Sequence, residues 1–402
     1  MNDHIRETNG TPLADLKVTA ESAAGVSRLD SLTGLRFYAA LVVVILHVTR
    51  EYAPVPLIRE LFAPGGVGVS FFFILSGFVL MWSMRPNLPK RDFYRNRFAR
   101  VYPLHLVTWA MAGVVILVGG LFVDPWVALA SLALVQSWIP LEAVYFSMNG
   151  PSWSLSAEAF FYAVFPWVAR PIRRASTLGL ARGMFGLYAV IVVVTIAGHI
   201  LLRGGPTVAF FYVNPLYRLW EFLIGMSIAV FVQRGWRTRI GLPISLSLVS
   251  MVFVAVAGLN FLIENGIGPV SVLGMRSLPN DITSLIMVPF FVLLIGSAAS
   301  SDLRGKRSHL RSPLLMSLGK WSFALYLTHL LLVSLLSMVV PRGMPWQLST
   351  IVAVLTVLSA IGISALFYRH VEHPLEARLR APRKRAQEVA AVGEEEPHYA
   401  GN

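Results

Sequence analysis

The chain contains no cysteine among its 402 residues, which excludes disulfides, thiolate metal sites, iron–sulfur clusters and a cysteine nucleophile. Neither a Walker loop nor a dinucleotide-binding glycine pattern is present, so ATP hydrolysis and hydride chemistry have no support. The first 30 residues lack the apolar core and small-residue cleavage site of a secretory signal. Charge is scarce: Asp, Glu, Lys and Arg make up 14% of the residues, against roughly 25% in soluble domains. Acids are scarcer than bases, 21 against 34, for a net charge of +13. What fills the chain instead is apolar, 55% of residues with a mean hydropathy of +0.64. Soluble cores stop growing near ~250–300 residues, so a soluble cytoplasmic enzyme is all but ruled out. A basic balance in a soluble protein would suggest nucleic acid. Here most of the bases lie in short loops between apolar runs, and the partner they imply is a lipid bilayer, not nucleic acid.

A membrane crossing takes about 20 mostly apolar residues. Ten runs qualify, near 36–55, 66–84, 102–122, 151–169, 183–202, 214–233, 241–262, 281–300, 319–340 and 348–368. An eleventh, Trp126 to Ile139, is short and bounded by Asp124-Pro125 and Pro140, which suits a re-entrant or interfacial helix. Lys and Arg gather on the cytoplasmic side of membrane proteins. With ten crossings, 26 of the 34 bases fall on the side of the N-terminus, and counting 126–139 as a crossing would destroy that bias. The expected architecture is therefore an all-α integral membrane protein of about ten transmembrane helices plus one short re-entrant or interfacial helix. Both termini are expected in the cytoplasm, and the host membrane is expected to be the plasma (inner) membrane. Residues 1–30 read as a polar cytoplasmic tail, 31–376 as the membrane domain and 377–402 as a charged cytoplasmic tail.

Ionisable groups inside membrane spans are expensive and are functional candidates by default. His47 lies 11 positions after Arg36, on the same helix face and about 16 Å further along the axis. Arg36 then sits at the inner boundary, with His47 past the middle. Glu158 follows Pro151-Ser-Trp-Ser-Leu-Ser-Ala, about 10 Å below the outer surface if the helix starts there. By the same count His47 is about 12 Å deep. A carboxylate within reach of a histidine orients the ring and supports it as a base. Ser154, one turn before Glu158, can face the same space. His329 is a further intramembrane histidine, and Arg218 and Glu221, three apart on one helix, can satisfy each other. On the inner side Arg95, Arg97 and Arg100 alternate with aromatics, and arginine suits bidentate phosphate capture. No ligand spacing for a metal is present.

These residues resemble a known family, the acyltransferase-3 membrane enzymes that O-acylate sugars and glycosylated products. The match is carried in order by Leu29-Asp-Ser-Leu-Thr-Gly-Leu-Arg36 with His47, by Gly68-Val-Ser-Phe-Phe-Phe-Ile-Leu-Ser-Gly77, and by Arg95-Asn-Arg97 with Arg100-Val-Tyr-Pro103. Pro151 to Glu158, Arg218-Leu-Trp-Glu221, Gly319 to His329 (with Tyr326) and Glu372-His-Pro374 continue it. The resemblance spans about residues 28–376.

It implies ten helices, an acyl-CoA donor (acetyl-CoA the leading candidate) bound from the cytoplasm as co-substrate, and no tightly bound cofactor. His47 and Glu158 correspond to the catalytic residues, and Arg36, Arg95, Arg97 and Arg100 to donor-binding residues. Ser154, Arg218, Glu221, Tyr326 and His329 are candidates for the channel and acceptor site. The implied acceptor is a carbohydrate, a lipid-linked sugar or a glycosylated small molecule. Some family members carry an appended extracytoplasmic esterase-like domain. The short stretch after the last span leaves no room for one, so a stand-alone enzyme or a separate partner is expected. The expected mechanism has Glu158 orient His47 as the base for an acceptor hydroxyl, or has His47 or a serine carry the acyl group briefly. The competing class is a proton-coupled transporter or flippase, in which His47 and Glu158 relay protons. Transporters often show two related halves, and no convincing internal repeat is present here.

Overall fold

The computed structural model describes residues 28–381 except 53–54, 86–87, 203–205, 268–277 and 342. Both expected tails therefore lie mostly outside the described residues, as do Arg203, Arg276 and Arg342. All regular structure among the described residues is helical. Helix α1 spans Asp30–Tyr52, with Asp30 in its first turn and Arg50 in its last, the arrangement the helix dipole favours. A short α2 (Pro56–Phe62) and a 3-10 turn lead into α3 (Gly68–Trp82). Helix α4 (Lys90–Val118) is the longest continuous α-helix. The short α5 (Pro125–Leu132) and α6 (Glu142–Tyr145) precede α7 (Trp153–Arg174) and α8 (Thr177–Leu201). Then come α9 (Pro215–Gln233), α10 (Leu242–Glu264), α11 (Asn280–Leu303), α12 (Pro313–Ser337), α13 (Trp346–Phe367) and α14 (His373–Leu379). Starts are set by proline at the first turn and by caps. Asn214 accepts from the backbone N–H of Leu216 and Tyr217 at 2.9 and 3.2 Å, satisfying donors the helix itself cannot.

Among the described residues nine helices are long and apolar enough to cross a membrane. They correspond to nine of the ten expected runs. The tenth is α7, a 22-residue helix whose Glu158, Arg170, Arg173 and Arg174 dilute its hydropathy. The run from Trp126 to Ile139 forms only the eight-residue α5 and a 3-10 turn at Gln136–Trp138, too short to cross. Helices α3, α9 and α11 fill the centre of the bundle. Helices α8 and α13 lie outside it and expose Val190, Val193, Ile196, Ile351, Val354 and Leu358. Apolar surface of that extent is untenable in water and natural in hydrocarbon. The protein is an all-α, multi-pass membrane protein.

Side-chain contacts define the two ends of the bundle. At one, Ser31 bonds Asp302, Arg100 bonds Glu372, Arg234 bonds the carbonyls of Arg173 and Ala175, and Arg304 bonds that of Thr238. We call it the basic face. At the other, His199 bonds Asp281 and the N–H of Leu278 bonds Asn260.

Candidate active site

A cavity of about 470 Å³ enters the bundle from the basic face, a volume typical of ligand pockets. Its mouth is formed by Arg28, Lys320, Glu376 and Arg380, and its inner end by Val69, Phe72, Ser154 and Tyr326. Arg36, Arg97 and Arg100 line it between.

The three arginines are not equivalent. Arg100 is already neutralised, bonding Glu372 at 2.6 Å and Glu376 at 2.9 Å. Among the described residues Arg36 and Arg97 have no ion-pair partner. Arg97 lies over the rings of Phe93 and Tyr162 at 5.9 and 5.8 Å, and its Nε is buried without a hydrogen-bond partner. The open cations facing the cavity are thus Arg36 and Arg97, with Lys320 at the mouth. Arg95, expected beside Arg97, does not line the cavity, and its Nε donates to the carbonyl of Leu379 at 2.8 Å. The physical reason is helical: residues two apart on α4 point about 200° apart.

Glu158 lies on the cavity wall, where its carboxylate accepts from Ser76 Oγ at 3.2 Å and from the hydroxyl of Tyr162. Above it, Tyr326 donates to Ser154 Oγ at 2.9 Å and to the carbonyl of Pro151 at 3.1 Å. The start of α7 is pinned inside the bundle. Asn149 bonds the carbonyl of Leu327, Gln136 bonds that of Ser152, and Ser137 bonds that of Trp153. The segment around α5 and α6 thus dips into the protein and delivers the first turn of α7 to the middle of α12.

That placement corrects the expected pairing of Glu158 with His47. Counting depth from the outer surface fails because α7 does not begin at the surface. Glu158 descends to the level of Ser76 and Arg36, and His47 does not line the cavity. By helix rise Arg36 and His47 stand about 9 Å and about 25 Å along α1 from Asp30. His47 instead meets His329: their Nδ1 and Nε2 are 3.3 Å apart and their ring centroids 5.1 Å. His329 is wholly buried, and its ring lies 6.0 Å from that of Tyr326, so the histidine pair adjoins the inner end of the cavity.

Arg218 and Glu221 do pair, at 3.1 Å, both with fully buried side chains. Arg218 also donates to Ser70 Oγ at 2.8 Å and lies 5.6 Å from the ring of Tyr212. This is an internal brace between α3 and α9 and lines neither described cavity. A second cavity, about 320 Å³, opens away from the basic face among Arg50, Tyr212, Asn260, Asn280 and Asp281.

Sequence reasoning assigned no role to Tyr162, Ser76, Lys320 or the Glu372–Glu376 pair. Tyr162 was findable, four residues after Glu158 on one helix. Glu372 stood in a recognised string, but only the fold brings it to Arg100.

Comparison with known proteins identifies the family to which this chain belongs. Residues 29–369 match the acyltransferase-3 family, described as an acyltransferase domain. The chain belongs to that family and is a membrane O-acyltransferase. It is 33% identical over 376 residues to acyltransferase MdmB of Streptomyces mycarofaciens, covering 87% of this chain and 92% of the relative. It is 29% identical over 338 residues to the exopolysaccharide production protein ExoZ of Rhizobium meliloti strain 1021, covering 80% and 93%. A 172-residue stretch is 28% identical to the peptidoglycan O-acetyltransferase OatA of Listeria monocytogenes, covering 36% of this chain and 26% of that one. No solved structure matches the chain.

Proposed function

We infer that the enzyme moves an acyl group, acetyl in the simplest case, from cytoplasmic acyl-CoA to a hydroxyl of a carbohydrate or glycosylated acceptor. The observation that carries this is the cavity itself. Two unneutralised arginines, Arg36 and Arg97, stand near a basic mouth, and a hydroxyl-lined interior ends beside His47 and His329. Arginine forks suit the phosphates of CoA, while the interior between Val69, Phe72 and Ser154 suits pantetheine and its thioester. ExoZ and OatA, by their names, serve polysaccharide and peptidoglycan, which favours a carbohydrate acceptor. On α1, Arg36, His47 and Arg50 fall within about 60° of one another at 100° per residue. One helix face therefore runs from the donor cavity through His47 to the outer cavity, where the acceptor would enter.

The step follows from this arrangement. The acceptor oxygen bonds to the thioester carbonyl carbon and the carbon–sulfur bond breaks. His47 removes the hydroxyl proton and returns it to the departing sulfur, giving an ester and free CoA. Arg100, held by Glu372 and Glu376, braces the mouth, and Glu158 with Tyr162 and Ser76 shapes the passage. The test is purified protein in lipid nanodiscs with radiolabelled acetyl-CoA and a panel of oligosaccharide acceptors. Label on an acceptor hydroxyl with stoichiometric CoA release is expected. Movement of sugar across the membrane without CoA release would assign the chain to transport instead.

A further inference from the structure

We propose that His329 is a positioning residue that fixes His47 in the Nδ1–H tautomer and thereby presents Nε2 of His47 as the basic nitrogen. This rests on the reading of His47 as the base, and the tests below separate the two.

The hydrogen bonds assign the protons. Nδ1 of His47 lies 2.8 Å from the carbonyl oxygen of Val43. A carbonyl only accepts, so Nδ1 carries the hydrogen, and in a neutral imidazole Nε2 is then bare. Nδ1 of His329 lies 3.2 Å from the carbonyl oxygen of Leu325, which by the same rule protonates that nitrogen and leaves Nε2 of His329 as a lone pair. That lone pair faces Nδ1 of His47 at 3.3 Å. The His47 N–H is thus shared between a carbonyl one turn back on its own helix and an imidazole on α12. The two anchors, on two helices, fix both the tautomer and the ring plane. Free neutral histidine favours the opposite, Nε2–H form, so the pair imposes a choice that the side chain alone does not make.

Orientation of a histidine base through its far nitrogen is usually done by a carboxylate or a carbonyl. Here the carboxylate expected for the task, Glu158, is bonded to Ser76 and Tyr162 instead. A neutral imidazole suits a wholly buried place better than an anion, which would need its own counter-charge there. Once His47 takes the proton, the bond to His329 becomes charge-assisted and strengthens, so the support is greatest when the base is loaded. His329 adjoins Tyr326, whose hydroxyl is bonded to Ser154 on the cavity wall, which ties the base to the place where the thioester would stop.

The first test needs no turnover. Nitrogen-15 spectra of histidine-labelled protein in nanodiscs, with His47 assigned by its loss in His47→Gln, should show His47 as the Nδ1–H tautomer. His329→Ala, which leaves the Val43 carbonyl as the one remaining acceptor, should let a measurable minor Nε2–H population appear. His329→Gln, whose side-chain oxygen can accept at the same place, should keep the Nδ1–H tautomer alone. The second test is kinetic, with acetyl-CoA as the probe. His329→Ala should lower kcat about tenfold to a hundredfold, a share of the ~10²–10⁴ that a placed base supplies, with KM for acetyl-CoA within about twofold. His329→Gln should regain most of the loss, and His329→Ala should cost nothing further in a His47→Ala background. An Nε2–H tautomer in the wild-type protein, or equal kcat losses in the Ala and Gln variants, overturns the positioning role. Undiminished turnover in His47→Ala overturns the base reading itself, whatever the spectra show.

Discussion

Gly77 and Gly225 face each other where α3 crosses α9. A Cβ on Gly77 would lie 2.0 Å from the carbonyl oxygen of Phe222, and one on Gly225 would lie 1.9 Å from that of Ile74. Small residues let helix backbones touch where packing, and not the hydrophobic effect, holds a membrane bundle together. The crossing also sets the site, since Ser76 beside Gly77 donates to Glu158 and Ser70 on the same helix bonds Arg218.

Gly77→Ala and Gly225→Ala should each therefore destabilise the protein by at least the ~1–3 kcal/mol of core overpacking, because the clash is with backbone. Gly183→Ala on α8, where nothing lies within 4 Å of the added carbon, should be neutral. Thermal unfolding in detergent compares the three. Equal midpoints would show that the backbones of α3 and α9 do not touch at Gly77 and Gly225.

Donor recognition should separate Arg97 from Arg95. Arg97→Ala removes a charge-assisted contact worth about 1.5–3 kcal/mol, so affinity for acetyl-CoA should fall about tenfold to a hundredfold. A lysine there should recover only part, having no planar fork. Arg95→Ala should change affinity less than about twofold, because that side chain serves the carbonyl of Leu379. Calorimetric titration with CoA measures both. A loss confined to Arg95→Ala would place the phosphates outside the cavity.

The contrast between these two arginines shows where sequence reading stops. Apolar runs and basic loops were enough for an all-helical bundle and for the short segment before α7, because a bilayer imposes length and side on each helix. The paired arginines look alike as a string, yet half a turn of helix sends them to different surfaces. Glu158 stands out in the sequence as an ionisable group inside an apolar run, but its bonds to Ser76 and Tyr162 emerge only from the fold. Depth was counted from a surface at which α7 does not begin, since Asn149 and Pro151 are already bonded inside the bundle. The His47–His329 contact joins residues 282 positions apart, and only the packing of α12 on α1 reveals it.

Glu158 and His47 should act independently. No contact joins them among the described residues, and effects at sites without shared partners usually combine additively in free energy. Glu158→Gln and His47→Ala should each reduce acyl transfer strongly, and the double variant should show the product of the two losses. Tyr162→Phe, which removes one of the donors to the carboxylate, should resemble a mild Glu158→Gln. A double variant no worse than His47→Ala alone would mean that the two function as one unit after all.

The orientation of the bundle decides which solution supplies the acyl donor. A chain without cysteine allows single reporters to be placed one at a time. Asp124→Cys and Asn265→Cys lie at exposed positions beyond the ends of α4 and α10, away from the basic face. Arg239→Cys and Lys306→Cys lie at exposed positions on the basic face. Since Lys and Arg are retained in the cytoplasm, a membrane-impermeant maleimide added to intact cells should label the first pair and spare the second until the cells are opened. The reverse pattern would expose Arg36, Arg97 and the cavity mouth to the outside, where there is no pool of acyl-CoA. The CoA reading would then fail, and the two arginines would belong to an anionic acceptor.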